Sequence, residues 1–259
     1  MAFINVNRNK LFFRVDGDPG APPLVLSNSL GTDHRMWDAQ MEALTQHFRV
    51  LRYDGRGHGQ SDAPDGPYTI ADLAEDVLGL MDEVHVGRGN FCGLSLGGIV
   101  GQWIALNAPD RLDRLILANT APYIGPPEAW NERIATIERD GMKPVAEAVV
   151  KRWFTDTFRR RNPQAVQAVK QLMLAANPAG YAATCAAIRD ADFRAQVSSI
   201  QTPTLVIAGR DDPVTTLEDA KFLVDSIHGA WGKVLAAAHL SNVEDANQFN
   251  DAVLKFLMA

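Results

Sequence analysis

A chain of 259 residues, 46% hydrophobic and 22% charged, is long enough to bury a large core and shows no low-complexity tract and no internal repeat, which excludes a disordered or solenoid protein. Its 25 basic and 31 acidic residues leave a net charge of −6, and no basic stripe is interleaved with aromatics, so no nucleic-acid partner is expected. No stretch approaches the roughly 18 apolar residues of a membrane span, and Met1 to Arg8 lacks a basic start followed by an apolar core; the expectation is a cytoplasmic protein without a membrane partner.

In chain order, Leu24-Val25-Leu26, Val50-Leu51-Arg52-Tyr53, Arg114-Leu115-Ile116-Leu117-Ala118 and Thr204-Leu205-Val206-Ile207-Ala208 are short apolar runs closed by turn residues. They read as buried strands. Between them, apolar positions 70, 73, 77, 80 and 81 of Ile70 to Met81 have helical spacing. Strands and helices in alternation predict a mostly parallel sheet with helices on both faces, whose ligands bind beyond the carboxyl ends of the strands. The alternation stops after Pro122 and resumes at Thr204. The intervening segment carries helical stripes at Trp130, Ile134 and Ile137, at Val145, Val149 and Trp153, and at Val166, Val169, Leu172 and Met173, punctuated by prolines at 126, 127, 144, 163 and 178. This predicts a helical cap over residues 123–199 inserted into a core formed by 1–122 and 200–259. Cys92 and Cys185 are too few for a disulfide framework and stand at no metal-ligand spacing; they read as small buried fillers.

Gly93-Leu94-Ser95-Leu96-Gly97 is a G-x-S-x-G pentapeptide between an apolar stretch and a helical segment, the position of a nucleophile elbow. The turn brings neighbouring backbone too close for a Cβ, and Gly93, Gly97 and Gly98 supply the room. Alone, the pattern also fits a Gly-rich loop with a passive serine. A serine hydroxyl is a poor nucleophile at neutral pH, so Ser95 requires a histidine base and a group that orients it. The strand ending at Ala208 runs into Gly209-Arg210-Asp211-Asp212-Pro213, and Ala236-Ala237-Ala238-His239 offers a histidine among small residues. Asp211 and Asp212 point to different sides of an extended turn, so at most one reaches the imidazole. His34, His47, His58, His85 and His228 compete as bases; His58, in Asp54-Gly55-Arg56-Gly57-His58-Gly59, precedes the serine and reads as structural. A tetrahedral intermediate needs two N–H donors. The Leu96 amide, directly after the serine, is one; the Leu30 amide, in the loop after the first apolar strand, is the other, unless that loop is only a Ser/Asn turn.

The chain order Ser95, Asp212, His239 is that of the α/β-hydrolases. The sequence resembles that family over nearly its whole length, and within it the 3-oxoadipate enol-lactonases. The resemblance is carried by Leu26-Ser27-Asn28-Ser29-Leu30-Gly31-Thr32, where the general family has His-Gly at the positions of Asn28 and Ser29, by Phe91-Cys92-Gly93-Leu94-Ser95, by Arg152-Trp153-Phe154 and by His239-Leu240-Ser241-Asn242-Val243-Glu244. Pro213 after Asp212 matches the family's acid loop and favours Asp212. A second aspartate at 211 and the alanines at 236–238 depart from the family pattern.

The resemblance implies the α/β-hydrolase fold, a mostly parallel sheet flanked by helices with an inserted helical cap. It implies hydrolysis of a five-membered enol-lactone bearing a carboxymethyl group to 3-oxoadipate: Ser95 as nucleophile, His239 as base, Asp212 orienting it, and no metal or organic cofactor. The small anionic substrate calls for a cation, and an arginine fork suits a carboxylate better than a lysine. Arg133 and Arg152, beside Trp130 and Trp153, are the candidates. The other reading of these arginines is a solvated basic face, which fits Arg159-Arg160-Arg161 better, and the tryptophans also read as cap core. Two further readings stand beside the lactonase: a broad carboxylesterase or perhydrolase using the same three residues, and a non-catalytic ligand-binding member of the fold.

Overall fold

The computed structural model describes residues 2–259. The chain runs β1 (Ala2–Val6), β2 (Asn9–Asp16), β3 (Pro23–Ser27), α1 (Asp38–Leu44), β4 (Arg49–Tyr53), α2 (Ile70–Glu83), β5 (Gly89–Leu94), α3 (Leu96–Asn107) and β6 (Leu112–Ala118). Five helices follow: α4 (Pro127–Asp140), α5 (Met142–Trp153), α6 (Asp156–Arg161), α7 (Pro163–Ala175) and α8 (Pro178–Arg189). The sheet resumes with β7 (Thr204–Gly209), α9 (Leu217–Ser226) and β8 (Trp231–Leu235), and α10 (Ser241–Glu244) and α11 (Ala246–Leu257) close the chain.

The strands form one eight-stranded sheet in the order β1-β2-β4-β3-β5-β6-β7-β8. It is antiparallel at β1–β2 and β2–β4 and parallel from β4 to β8. Every residue of β5 and β7 is buried, because helices cover both faces; an uninterrupted apolar run is the pattern such strands need. The β1–β2 hairpin lacks such a run. Its residues mix Asn, Lys, Arg and Asp with Phe and Leu, as suits a half-solvated strand pair at the sheet's end. Edge strand β8 is likewise exposed at four of five positions.

Helix α2 buries Ile70, Leu73, Val77, Leu80 and Met81, the stripe that its spacing predicts, and a capping box between Thr69 and Asp72 fixes its start. The three stripes of the inserted segment fall on α4, α5 and α7. Pro127, Pro163 and Pro178 open α4, α7 and α8, the position where a missing N–H costs least. These helices pack on one another and lie over the carboxyl edge of the sheet: Leu240 N–H donates to the Trp153 carbonyl at 3.1 Å, and the backbones of Gly57 and Gly180 meet directly. Cys92 and Cys185 are free and buried, and burial pushes both thiols up, Cys185 to about 12. Among the described residues no helix is long and apolar enough to cross a membrane.

One buried ion pair joins three parts of the core. Arg56 donates Nε to Asp76 Oδ2 and Nη2 to Asp76 Oδ1, both at 2.7 Å, and Asp76 also accepts from Asn9 at 3.3 Å and Asn7 at 3.4 Å. The hairpin turn, the loop after β4 and helix α2 all rest on this carboxylate. Removing one partner strands a buried charge, so Asp76→Ala is expected to destabilise the fold by about 3–5 kcal/mol, measured as a lowered urea midpoint at unchanged m-value.

Candidate active site

Between β5, which ends at Leu94, and α3, which begins at Leu96, the chain reverses through one residue. Ser95 makes the turn at φ 57°, ψ −113°, a region that non-glycine residues rarely occupy. Its amide donates to the Ala118 carbonyl at 2.9 Å, and the Gly97 amide donates to the Asn28 carbonyl at 3.0 Å. A Cβ on Gly93 would lie 2.1 Å from the Gly97 oxygen, and one on Gly97 2.1 Å from the Ser27 oxygen. Only glycine lets the helix start sit this close to the strands.

Ser95 Oγ lies 2.9 Å from His239 Nε2, and His239 Nδ1 lies 2.8 Å from Asp212 Oδ2. All three are buried. Asp211 is exposed, so Asp212 is the aspartate that meets the ring. The Asp212 carboxylate is saturated: Oδ1 accepts the amides of Val214 at 2.8 Å and Thr215 at 3.1 Å, and Oδ2 accepts Thr215 Oγ1 at 2.7 Å and Asn119 Nδ2 at 3.0 Å. Burial alone would raise its pKa, but the His239 charge and the hydrogen bonds from His239, Asn119 and Thr215 outweigh it and hold the carboxyl below its usual range. An ionised carboxylate at Nδ1 fixes the tautomer with hydrogen there, leaving Nε2 free to accept the serine proton.

Asn119 is a site residue that the sequence reading passes over. It follows β6, has φ 43°, and its side chain spans Asp212, the Ala238 carbonyl at 3.2 Å and the Ser241 hydroxyl. Two signals point to it: a place at the carboxyl end of a strand, where ligands gather, and asparagine's tolerance of the left-handed region.

The loop after β3 is pinned from several sides. The Ser29 amide faces Met36 Sδ at 3.2 Å and the Gly31 amide donates to His58 Nε2 at 3.0 Å. Between them the Leu30 amide, like that of Leu96, has no protein acceptor among the described residues. Asn28 anchors the loop, donating to the Tyr53 carbonyl at 2.6 Å and accepting from Trp37 Nε1 at 2.9 Å. His58 donates Nδ1 to the Arg56 carbonyl at 3.0 Å, so it holds this loop and does not meet Ser95. His34 pairs with Asp54 at 2.7 Å, and His47, His85 and His228 are exposed. Asp33, His34 and Asp54 bring ligand-type atoms within 4.8 Å of one another, but Arg35 and the His34 amide and ring already take up these carboxylates.

Above Ser95 and His239 lies a narrow cavity of about 30 Å3. Its lining includes Ser29 and Leu30 below and Trp130, Arg133, Arg152 and Trp153 from α4 and α5 above. The structure thus brings all four of these cap residues to the serine. The Trp153 ring stands 6.1 Å from the His239 ring, and the Arg133 guanidinium lies 4.5 Å over the Trp130 ring. No carboxylate among the described residues pairs with Arg133 or Arg152. Partial burial, and then the charge of Arg133, lower the pKa of Arg152. Arg160 and Arg161 face solvent, and Arg159 is taken up by Asp156 and the carbonyls of Lys151 and Phe154.

The family of the alpha/beta hydrolase fold matches residues 22–141. The chain is 42% identical over 237 residues to 3-oxoadipate enol-lactonase 2 of Acinetobacter baylyi, covering 92% of this chain and 89% of that protein. The chain belongs to the α/β-hydrolase family. Among solved α/β-hydrolases it is similar to the enol-lactonase from Burkholderia xenovorans LB400, at TM-score 0.98 and 45% identity over the whole of both chains. It is similar also to a thermophilic esterase from Thermogutta terrifontis, at TM-score 0.92 and 29% identity over 99% of this chain and 97% of that one.

The His58 prop gives a stability signature. Burial lowers its pKa from the usual 6.5, against the hydrogen bond to Arg56 and the charges of Asp54 and Asp33, which raise it. Below pH 6.5 the unfolded chain therefore binds a proton that the folded chain refuses, and stability falls with pH until the folded ring titrates. His58→Asn is expected to shrink the drop in Tm between about pH 7.5 and about pH 5.5, measured by thermal unfolding at both values; an unchanged drop rejects the assignment.

Proposed function

We propose that this hydrolase opens a small anionic enol-lactone, 3-oxoadipate enol-lactone, to 3-oxoadipate through a serine acyl-enzyme. The observation that carries the reading is the pair Arg133 and Arg152, which line the same narrow cavity as Ser95 and His239 and have no carboxylate partner among the described residues. Two cations without a partner at a serine site suit a substrate that brings its own carboxylate. The enol-lactonase relatives, at 42% and 45% identity, support the lactone in particular.

In this mechanism Ser95 Oγ attacks the lactone carbonyl while His239 Nε2 takes its proton, and Asp212 stabilises the imidazolium. The Leu30 and Leu96 amides receive the oxyanion. The ring oxygen leaves as an enolate stabilised by conjugation, so ring opening needs little acid assistance; the enolate then takes up the proton held by the His239 imidazolium, directly or through water, and ends as a ketone, which leaves His239 neutral. Water activated by the same histidine then cleaves the acyl-enzyme and releases Ser95. Such a reaction belongs in the cytoplasmic degradation of aromatic compounds. A broader esterase range is the second reading, supported by the 29% identical esterase.

Ser95→Ala is expected to abolish turnover of the lactone, with full activity in that variant ending the mechanism. Arg152→Gln should raise KM for the lactone by about 10–100-fold, the worth of a charged hydrogen bond, and leave neutral p-nitrophenyl acetate within about twofold. A wild-type kcat/KM for the lactone no higher than that for p-nitrophenyl acetate would favour the esterase instead.

A further inference from the structure

Glu244 ends α10, five residues beyond His239, and takes no part in the Ser95–His239–Asp212 contacts. Its carboxylate is nevertheless the joint between the loop that carries the histidine and the cap. Oε2 accepts the Ala238 amide at 3.0 Å and the Thr155 amide at 3.2 Å, and Oε1 accepts the Thr155 hydroxyl. Ala238 is the residue before His239. Thr155 lies two residues after Trp153, whose side chain lines the cavity above Ser95. On the other side of His239, the Leu240 amide donates to the Trp153 carbonyl at 3.1 Å. Both neighbours of the histidine are thus bonded to the cap, one directly and one through Glu244.

We infer that Glu244 is a positioning residue that seats His239 and the cap residue Trp153 together. The inference rests on the reading of His239 as the base for Ser95. The lead-in to the histidine is Ala236-Ala237-Ala238, three side chains with no polar group to anchor them, so the path of the loop is set by backbone hydrogen bonds. At Ala238 these are the amide to Glu244 and the carbonyl to Asn119 Nδ2. No cation pairs with Glu244 among the described residues; its charge is spent on N–H and O–H donors, which makes these bonds strong. A base works only when held within about 0.5 Å of its productive place, and a displacement of about 1 Å costs roughly a hundredfold.

The joint is also one that water can reach. A cleft of about 640 Å3, lined in part by Thr155, Phe158, Asp211 and Glu244, opens beside it. The cavity above Ser95, about 30 Å3, has room for only a water or two, so lining residues must shift to seat a lactone.

The test compares Glu244→Gln, Thr155→Val, Thr155→Ser and the double variant Thr155→Val/Glu244→Gln. Each is measured for kcat and KM on the enol-lactone, for the rate of Ser95 capture by a fluorophosphonate, and for Tm, with kinetics taken well below every Tm. Thr155→Ser keeps the hydroxyl and should stay within about twofold of wild type. Glu244→Gln and Thr155→Val should each lose about tenfold in both kcat and capture rate, and the double variant should fall no further than about twofold below the worse single one, because the two residues act as one unit. A lowered Tm with kcat and capture rate unchanged overturns the inference, as do losses that multiply in the double variant. Should Glu244→Gln fail to fold, Thr155→Val, which keeps the Ala238 bond, decides alone. Absence of both turnover and capture in the wild type overturns the reading of His239 instead.

Discussion

A serine forced into left-handed backbone is the constraint from which the rest of the site follows. At φ 57° Ser95 stores strain of about 1–3 kcal/mol, and the surrounding structure must over-determine the turn for it to persist. It does so by burying every residue of β5, by bonding the Ser95 amide to β6 and by bonding the Gly97 amide to the Asn28 carbonyl at the end of β3. Strand order matters here: β3 and β6 flank β5 in the sheet, so the strained turn is clamped from both sides. The same geometry frees the Leu96 amide at the first turn of α3, where the helix dipole adds to its pull on negative charge.

Two networks then place what surrounds the serine. On one side Asp76 holds Arg56, the Arg56 carbonyl fixes the His58 tautomer, and His58 Nε2 takes the Gly31 amide. On the other, Asn119 and Thr215 orient Asp212, which orients His239. The loops they hold meet at Met36: its carbonyl accepts from Asn242 at 2.9 Å, and its sulfur faces the Ser29 amide. The histidine loop and the Leu30 loop therefore share a support. Asn28 at the head of that loop spends both ends of its amide on Tyr53 and Trp37.

What was legible in the sequence divides along physical lines. The central strands announce themselves because burial on both faces fills them with short apolar runs, despite a buried Arg52 in β4, and α2 because one face alone is buried. Strand β2 and edge strand β8 are half-solvated and mix polar with apolar residues, so no run marks them. Ser95, Asp212 and His239 stand out through chain order, since each falls after a strand or near the C-terminus where the topology brings strand ends together. The choice of Asp212 over its neighbour depended on Pro213; the structure adds that Asp211 is exposed. Asn119 and Glu244 act through bonds to residues 93 and 89 positions away; its place at a strand end marks Asn119 as a site residue, but no local pattern encodes the partner of either at that separation.

The charge at the site runs against the charge of the molecule. A net −6 spread over the surface is screened within about 10 Å, whereas Arg133 and Arg152 line one small cavity beside Ser95, Arg152 with part of its side chain in solvent. Guanidinium groups stay protonated at neutral pH; partial burial first, and the charge of Arg133 second, lower the pKa of Arg152 without discharging it. Trp130 relieves part of that cost by presenting its ring face to Arg133, a contact worth about 0.5–2 kcal/mol. On the proposed reading, a carboxylate entering the cavity gains the attraction of both arginines and offsets their mutual repulsion, while a neutral ester gains neither, and discrimination between the two arises before any bond is broken.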